Sequence, residues 1–519
     1  MVRGFLRGAG SVQGSWLVSG VVTCTCLVVA MAVSGGRSRA YTAYSLAVHK
    51  TEAIPAFARK YGLRCSACHT VWPELNAFGQ RFKDNGYQLG NDRDSPMWQS
   101  PAYWPIAMRT TPQWHLESTT HQITDAAPAG KTLRQTGFDL SGVDFLLLGT
   151  LHKNITFGLV PTLDADGTTG LEAAFVRFDN LGQSPWANLK VGKFELDNLL
   201  SEKRFTWLSN NGGFLYAYHF LPSGSANNFG FGDNQIGAEF SGHSFNSYTR
   251  YSVALLTTDD GEPGLPGGKS MDAMFTLSQA FALGGGLGPQ RVGVFGYLGH
   301  RPTTFETVSG TAIPGTGTDN KSFYRIGATA QLWLGNLELL PLVSHAQDDA
   351  ALGPGPDKPT WNNALLEAHY VATPRFMVQG RYELTRMSTQ GDPATPQTLG
   401  DADAFALGFR YYPFMISRDG MALHGEFAMT RTTGLAPLSG DGSGVDPADP
   451  ATKVWSRSLL LAFDFAFSEE AADETAYALG GSRLGVGRAA VRGRRDARSR
   501  PGVPYRQRDR ACARGPAPV

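Results

Sequence analysis

The sequence predicts an all-β protein, a transmembrane antiparallel β-barrel of about sixteen strands with a small helical segment plugging or abutting its lumen. Three observations predict this fold. Short segments with a two-residue alternation begin near residue 104, the connections between them alternate in length, and no long apolar run follows residue 33. The composition agrees, because the chain holds 62 Gly and 11% aromatic residues against 18% charged residues, as in many all-β proteins.

The alternation is clear in the segment 458–467. One face carries Leu459, Leu461, Phe463, Phe465 and Phe467, and the other carries Ser458, Leu460, Ala462, Asp464 and Ala466. The segments 322–334 and 376–385 repeat the pattern. One apolar face and one more polar face are typical of strands that separate lipid from a polar lumen.

Sixteen candidate strands follow from this pattern. They lie near 104–117, 137–152, 154–164, 171–180, 186–196, 235–243, 245–257, 270–283, 290–300, 322–334, 336–346, 362–372, 375–387, 402–412, 420–432 and 454–467. Long connections such as 197–234, 301–321 and 433–453 alternate with tight turns, which is typical of an outer-membrane barrel with its long loops outside. A soluble β-sandwich or propeller is the alternative that this strand number disfavours.

The first 40 residues are typical of a cleaved signal peptide. Arg3 and Arg7 precede the apolar run 16–33, and Ser38-Arg39-Ala40 is a possible cleavage site. The alternative is an uncleaved membrane anchor, since eighteen apolar residues nearly span a bilayer. The sequence therefore indicates export to the outer membrane of a Gram-negative bacterium.

The segment 41–103 carries a haem-attachment motif, Cys65-Ser66-Ala67-Cys68-His69. Two thiols at this spacing can each add to one haem vinyl group, and the next residue then offers an imidazole to the iron. A thioredoxin-like redox pair and half of a zinc site are the alternatives. The first lacks a βαβ context and the second lacks two further ligands nearby. The motif predicts one covalent haem c, held by Cys65 and Cys68 with His69 as the proximal iron ligand.

The second axial ligand is open. Met108 and Met97 are the preferred candidates, and His115 and His121 are others within reach along the chain. After Pro73, an apolar helical stripe is predicted to cover the haem face, formed by Leu75, Phe78 and Phe82. Four basic residues could meet the haem propionates, namely Arg59, Arg64, Arg81 and Lys83.

Charge is distributed unevenly along the chain. Residues 1–40 hold four Arg and no acidic residue, and residues 468–519 hold eleven Arg, six acidic residues and no Lys. The chain between them is therefore acidic, which favours small cations over nucleic acid. The barrel is predicted to span 104–467, and 468–519 is predicted to be a basic, disordered tail.

The sequence resembles the fused monohaem cytochrome–porins of the outer membrane, whose best-known members are iron oxidases. The resemblance is carried by PAFARKYGLRCSACHTVWPELNAFGQRFKDNGY at 55–87 and by Trp104-Pro105-Ile106-Ala107-Met108 at the entry to the first strand. It implies that Cys65, Cys68 and His69 hold the haem. It also implies an electron-transfer protein embedded in outer-membrane lipid.

The resemblance implies that single electrons pass from extracellular Fe(II), or another one-electron donor, through the haem to a periplasmic electron carrier. Acidic residues on the predicted outer loops could attract Fe(II) through hard oxygen ligands; they are Asp348, Asp349, Asp357, Asp392, Asp441, Asp446 and Asp449. A porin with an attached cytochrome, and a conduit for a donor other than iron, are the alternatives.

Overall fold

The computed structural model describes most of the barrel and parts of the segment before it. The described residues are 56–61, 63, 65–71, 74–90, 94, 96, 105–124, 127–197, 207–208, 227, 229–232, 234–258, 261, 271–284, 289–313, 316–349, 358, 360–388, 401–415, 419–433 and 453–467. Residues 1–471 form one structural unit, to which all of them belong. The predicted signal peptide, the predicted tail 468–519 and Met97 lie outside the described residues.

Three short helices and a small hairpin precede the barrel. The helices are α1 (Ala56–Tyr61), α2 (Cys65–Cys68) and α3 (Ala77–Asp84). Strands β1 (His69–Val71) and β2 (Glu74–Leu75) pair antiparallel between α2 and α3. This pair, residues 69–75, is called the N-terminal hairpin below.

Sixteen strands close into one barrel. They are β3 (Ile106–Thr124), β4 (Ala127–His152), β5 (Ile155–Leu163), β6 (Thr169–Phe178), β7 (Asn188–Glu195), β8 (Asn234–His243), β9 (Thr249–Leu256), β10 (Asp272–Ala282), β11 (Pro289–Thr304), β14 (Thr318–Leu334), β15 (Leu337–Asp348), β16 (Thr360–Thr373), β17 (Phe376–Met387), β18 (Ala402–Met415), β19 (Asp419–Thr433) and β20 (Lys453–Phe467). A separate hairpin, β12 (Thr307–Val308) with β13 (Thr311–Ala312), lies in the connection after β11.

Each barrel strand pairs antiparallel with the next one along the chain, and the last pairs with the first. In this seam Leu461 of β20 lies opposite Trp114 of β3, and Phe465 lies opposite Thr110. Closure leaves the barrel sheet itself without an exposed edge. The predicted sixteen-stranded transmembrane barrel is therefore confirmed. Among the described residues, no helix is both long and apolar enough to cross a bilayer.

The two faces of the wall differ as the alternation predicts. On β20, Leu461 and Phe463 are 48% and 50% exposed, whereas Ala462 and Asp464 between them are buried. The buried set faces the lumen and includes charged residues such as Arg381 and Glu383 of β17. Apolar side chains facing outward and polar ones facing inward suit a wall that stands in hydrocarbon.

Tight turns gather at one end of the barrel. The connections 153–154, 335–336 and 374–375 join β4 to β5, β14 to β15 and β16 to β17. Gly335 has a φ of +64° in its turn, a conformation that favours glycine. The start of β3 and the end of β20 lie at this end too, since Met108 is opposite Phe467. We call it the short-turn end and the opposite one the long-loop end.

The longest connection, 196–233, is predicted to lie outside the barrel. Its described parts lie inside. The Trp207 ring is buried, with the Arg381 guanidinium carbon 4.9 Å from its centre. Phe229 stacks on the inward-facing Tyr297 with ring centres 3.9 Å apart, and Asn227 Nδ2 donates to Asp348 Oδ2 at 3.1 Å. The described parts of this connection therefore fold into the lumen, because their aromatic side chains are buried there and not in water.

Strands β3 and β4 are longer than predicted. The alternation predicts a loop at 118–136, yet only residues 125–126 separate the two strands. Many of their side chains, such as Lys131 and Arg134, are exposed. Strand that extends beyond the hydrocarbon is polar on both faces, so the alternation that marks a membrane strand is absent there.

Candidate haem-attachment site and its placement in the lumen

The haem motif forms one helical turn followed by a strand. Residues Cys65 to Cys68 form α2, and His69 opens β1 opposite Leu75 of β2. Cys68 and His69 are both half-buried. Positions i and i+3 of a helical turn lie on the same face, so the positions of Cys65 and Cys68 share one side of the turn.

Asn76 fixes this turn to the following helix. Its side-chain Oδ1 accepts hydrogen bonds from Phe78 N and Gly79 N at 3.0 Å each, which caps α3. Its backbone N donates to Cys68 O at 2.9 Å, and its Nδ2 donates to Ala67 O at 3.1 Å. One asparagine thereby joins the cysteine turn to α3, a role that the sequence pattern did not reveal.

The contact between α2 and α3 leaves no room for a side chain at Gly79. A Cβ added there would lie 2.1 Å from the carbonyl oxygen of Cys68. Because the obstructing atom is backbone, it cannot rotate away. The glycine therefore permits α3 to pack directly against the residue that precedes His69.

An aromatic cluster holds α1 against α3. Phe57 stacks on Tyr87 with ring centres 4.8 Å apart, and Phe82 makes edge contacts with Phe57 and Tyr61. Tyr61 is fully buried, and its hydroxyl donates to Asp94 Oδ1 at 2.8 Å. Phe82, predicted to lie on the apolar stripe, is buried here, whereas Leu75 and Phe78 are only half-buried.

Polar contacts join α1 and α3 to the barrel wall. Arg177 of β6 donates to the backbone oxygen of Lys83 at 3.0 Å, and Arg250 Nε of β9 lies 3.0 Å from Asp84 Oδ1. On α1, Lys60 Nζ donates to Thr150 Oγ1 at 3.2 Å. Burial lowers the pKa of Lys60, while the Asp94 carboxylate acts in the opposite direction.

The N-terminal hairpin lies inside the short-turn end of the lumen. Val71 belongs to a buried cluster with inward-facing side chains of four neighbouring strands, Val371, Met377, Tyr412 and Ala422. Glu74 Oε2 lies 3.0 Å from Nδ1 of the buried His369. The segment that carries the motif therefore plugs the barrel, as the sequence led us to expect.

The residues of this site fit a covalently attached haem. The donor set comprises two cysteines on one helical turn and an imidazole at the next position. Arg81 is exposed, with its guanidinium carbon 5.7 Å from the Phe78 ring centre. Arg59 has no described side chain, and Arg64 lies outside the described residues.

Three of the four candidate second ligands, Met108, His115 and His121, lie on strand β3. Arg109 Nε lies 2.9 Å from the lumenal Asp464 Oδ1, so its neighbour Met108 faces outward, opposite Phe467. His115 Nδ1 lies 3.4 Å from Glu117 Oε1, and His121 is exposed. The position of Met108 on the lipid face does not favour it as an axial ligand.

The structure describes two of the carboxylates predicted on outer loops, and neither side chain is fully exposed. Asp348, predicted on an outer loop, ends β15 and is fully buried. Asp349 Oδ2 accepts from Lys358 Nζ at 2.7 Å, and hydrogen bonds of this kind outweigh burial and lower its pKa. Asp357, Asp392, Asp441, Asp446 and Asp449 lie outside the described residues.

Comparison with known proteins returned matches among solved structures. An anion-selective porin from Comamonas acidovorans has 13% identity and a TM-score of 0.46, covering 70% of this chain and 99% of the porin. A loop-deletion mutant of OmpT, an outer membrane protein of Vibrio cholerae, has 12% identity and a TM-score of 0.40, covering 70% and 100%. Pseudomonas putida OprB has 10% identity and a TM-score of 0.40, covering 70% and 94%. No family model and no curated protein sequence matches the chain.

Proposed function

We propose that this barrel is an outer-membrane electron-transfer protein of a Gram-negative bacterium. It takes single electrons from an extracellular donor, Fe(II) in the first instance, and delivers them to a periplasmic carrier by way of one covalent haem c. Export with removal of residues 1–40 belongs to the same proposal. The supporting observation is the position of the N-terminal hairpin, whose Val71 packs against lumenal side chains at the short-turn end.

The chain's own residues have distinct roles in this proposal. Cys65 and Cys68 would hold the haem and His69 would bind its iron, which supplies a one-electron redox centre when bound. Asn76 and Gly79 fix the cysteine turn against α3. The hairpin keeps the motif at the end that faces the periplasm if the long loops face outward, within reach of a soluble carrier.

The first test is attachment. A denaturing gel stained for haem peroxidase activity should show a band at the mass of the protein. The double substitution Cys65→Ala, Cys68→Ala should abolish the stain, because it removes both thioether positions. A stained band that persists in this variant contradicts covalent attachment at the motif.

The second test concerns the donor. In proteoliposomes with the long loops outward, external Fe(II) should reduce the haem, read from the reduced absorption bands. A membrane-impermeant chelator trapped inside the vesicles separates this route from leakage of iron. Reduction that disappears with the internal chelator rejects the iron-oxidase assignment and leaves a channel with an attached cytochrome.

A channel is the second candidate function, and one observation favours it. A cavity of about 360 Å³ lies between α3 and the wall, and charged side chains line it, among them Arg109, Arg177, Lys190 and Glu239. A polar, charged lumen is typical of barrels that conduct solutes. Single-channel recording in planar bilayers distinguishes the two functions. If the hairpin plugs the lumen, the full-length protein should conduct far less than the same barrel without residues 41–103. A channel should conduct with the hairpin in place.

A further inference from the structure

A cluster of four buried ionisable side chains joins the N-terminal hairpin to the barrel wall. Glu74 comes from β2 of the hairpin, Glu338 from β15, and Glu367 and His369 from β16. Each of the four is 0% exposed. Burial of charged groups costs free energy unless an opposite charge, hydrogen bonds or a metal ion compensates them.

The imidazole lies at the centre of the cluster. His369 Nδ1 lies 3.0 Å from Glu74 Oε2 and 3.2 Å from Glu338 Oε2, and His369 Nε2 lies 2.7 Å from Glu367 Oε1. The shortest contact is that to Glu367, which favours a proton on Nε2 donated to this carboxylate. The lone pair of Nδ1 then points at the two other carboxylates.

Metal-binding histidines share one feature with this arrangement. A ligating imidazole commonly donates its other ring N–H to a carboxylate, which fixes the tautomer and the ring orientation. The ligand atoms of Glu74, Glu338 and His369 all lie within 4.8 Å of one another. In a tetrahedral zinc site, two ligands that are each about 2.1 Å from the ion are about 3.4 Å apart, a few tenths of an ångström more than the 3.0 and 3.2 Å separations at Nδ1.

Arginines of the wall lie near some of these carboxylates. On β17 the lumenal Arg381 is cross-strand from Glu367, but its Nε is also 4.0 Å from Glu383 Oε2. Arg109 and Arg410 on neighbouring strands contact Asp464. Three glutamate carboxylates lie within 3.2 Å of the His369 ring nitrogens.

We propose that Glu74, Glu338 and His369 bind a first-row divalent transition-metal ion, with Glu367 as a positioning residue. Carboxylate and imidazole ligands together suit ions such as Zn²⁺, Mn²⁺ and Fe²⁺. Because one ligand lies on the hairpin and two lie on the wall, the ion fastens the plug to the barrel. This site does not depend on the proposed electron transfer.

The test is metal stoichiometry of the full-length protein in detergent. Zinc is the probe, because a haem adds iron but no zinc, and iodoacetamide blocks thiols that would also bind it. After chelator treatment and equilibration with Zn²⁺, elemental analysis should give one zinc per chain. Glu338→Gln and His369→Gln should lose it, and Glu367→Gln should weaken zinc binding about 10- to 100-fold.

His424→Gln is the matched control. His424 is equally buried on β19, and its Nε2 lies 3.0 Å from Glu426 Oε2. This control should keep the wild-type zinc content. If the His369 variant fails to fold, Glu74→Gln still decides, because Glu74 is in the hairpin and not in the wall.

Two results would overturn the site. One is wild-type protein that retains no stoichiometric zinc after reloading. The other is zinc content unchanged in folded Glu74→Gln and His369→Gln proteins, with folding verified by the β-sheet circular dichroism of the barrel.

Discussion

At the residue scale, one buried carboxylate of the wall shows what the loss of an ion pair would cost. Asp464 of β20 is 1% exposed and contacts two guanidiniums, Arg109 with Nε–Oδ1 at 2.9 Å and Arg410. Thr111 Oγ1 also donates to it at 3.3 Å. Removing one partner from a buried ionic group leaves uncompensated charge, which costs more than the pair itself stabilises.

Asp464→Asn should lower the free energy of unfolding by about 3–5 kcal/mol. Asp403→Asn is the control, since Asp403 also contacts two arginines, Arg386 at 2.7 Å and Arg431, but these are 42% and 31% exposed. Asp403→Asn should lower the free energy of unfolding by about 1 kcal/mol or less. Urea unfolding followed by tryptophan fluorescence measures both. Equal losses would show that burial of the Asp464 group does not govern its contribution.

At the element scale, the packing of α3 on the cysteine turn determines the shape of the attachment site. Gly79→Ala would force a methyl group against the Cys68 carbonyl oxygen, 2.1 Å away before relaxation. Overpacking of this kind typically costs about 1–3 kcal/mol. We expect less haem stain per chain and faster proteolysis of residues 56–90. Gly137→Ala, where no atom lies within 4 Å of the added Cβ, should change neither.

The elements of the wall could be predicted from the sequence, whereas the contacts of the plug could not. The alternation at 458–467 correctly assigns Phe463 to the outer face and Asp464 to the lumen, because lipid and lumen favour opposite polarity at successive residues. Glu74 has no such signal. Its partner His369 lies 295 residues away in sequence, and no local period records a contact across that distance. Haem attachment at Cys65 and Cys68 stays a prediction from the motif.

At the scale of the whole molecule, the two ends of the barrel should face different compartments. Ser309 is exposed in the hairpin β12–β13 at the long-loop end, and Asn336 is exposed in a turn at the short-turn end. Ser309→Cys should react with a membrane-impermeant maleimide on intact cells, because long loops face outward in outer-membrane barrels. Asn336→Cys should react only after permeabilisation. The reverse pattern would invert the topology.

The pairing of β3 with β20 also limits when the barrel can close. Chains are made from the N-terminus, so the hairpin exists before any wall strand does. Its lumenal contacts arrive late, His369 being the 295th residue after Glu74, and the seam can form only when β20 has followed. As the strands close, they can enclose the hairpin, which then does not have to enter a finished lumen.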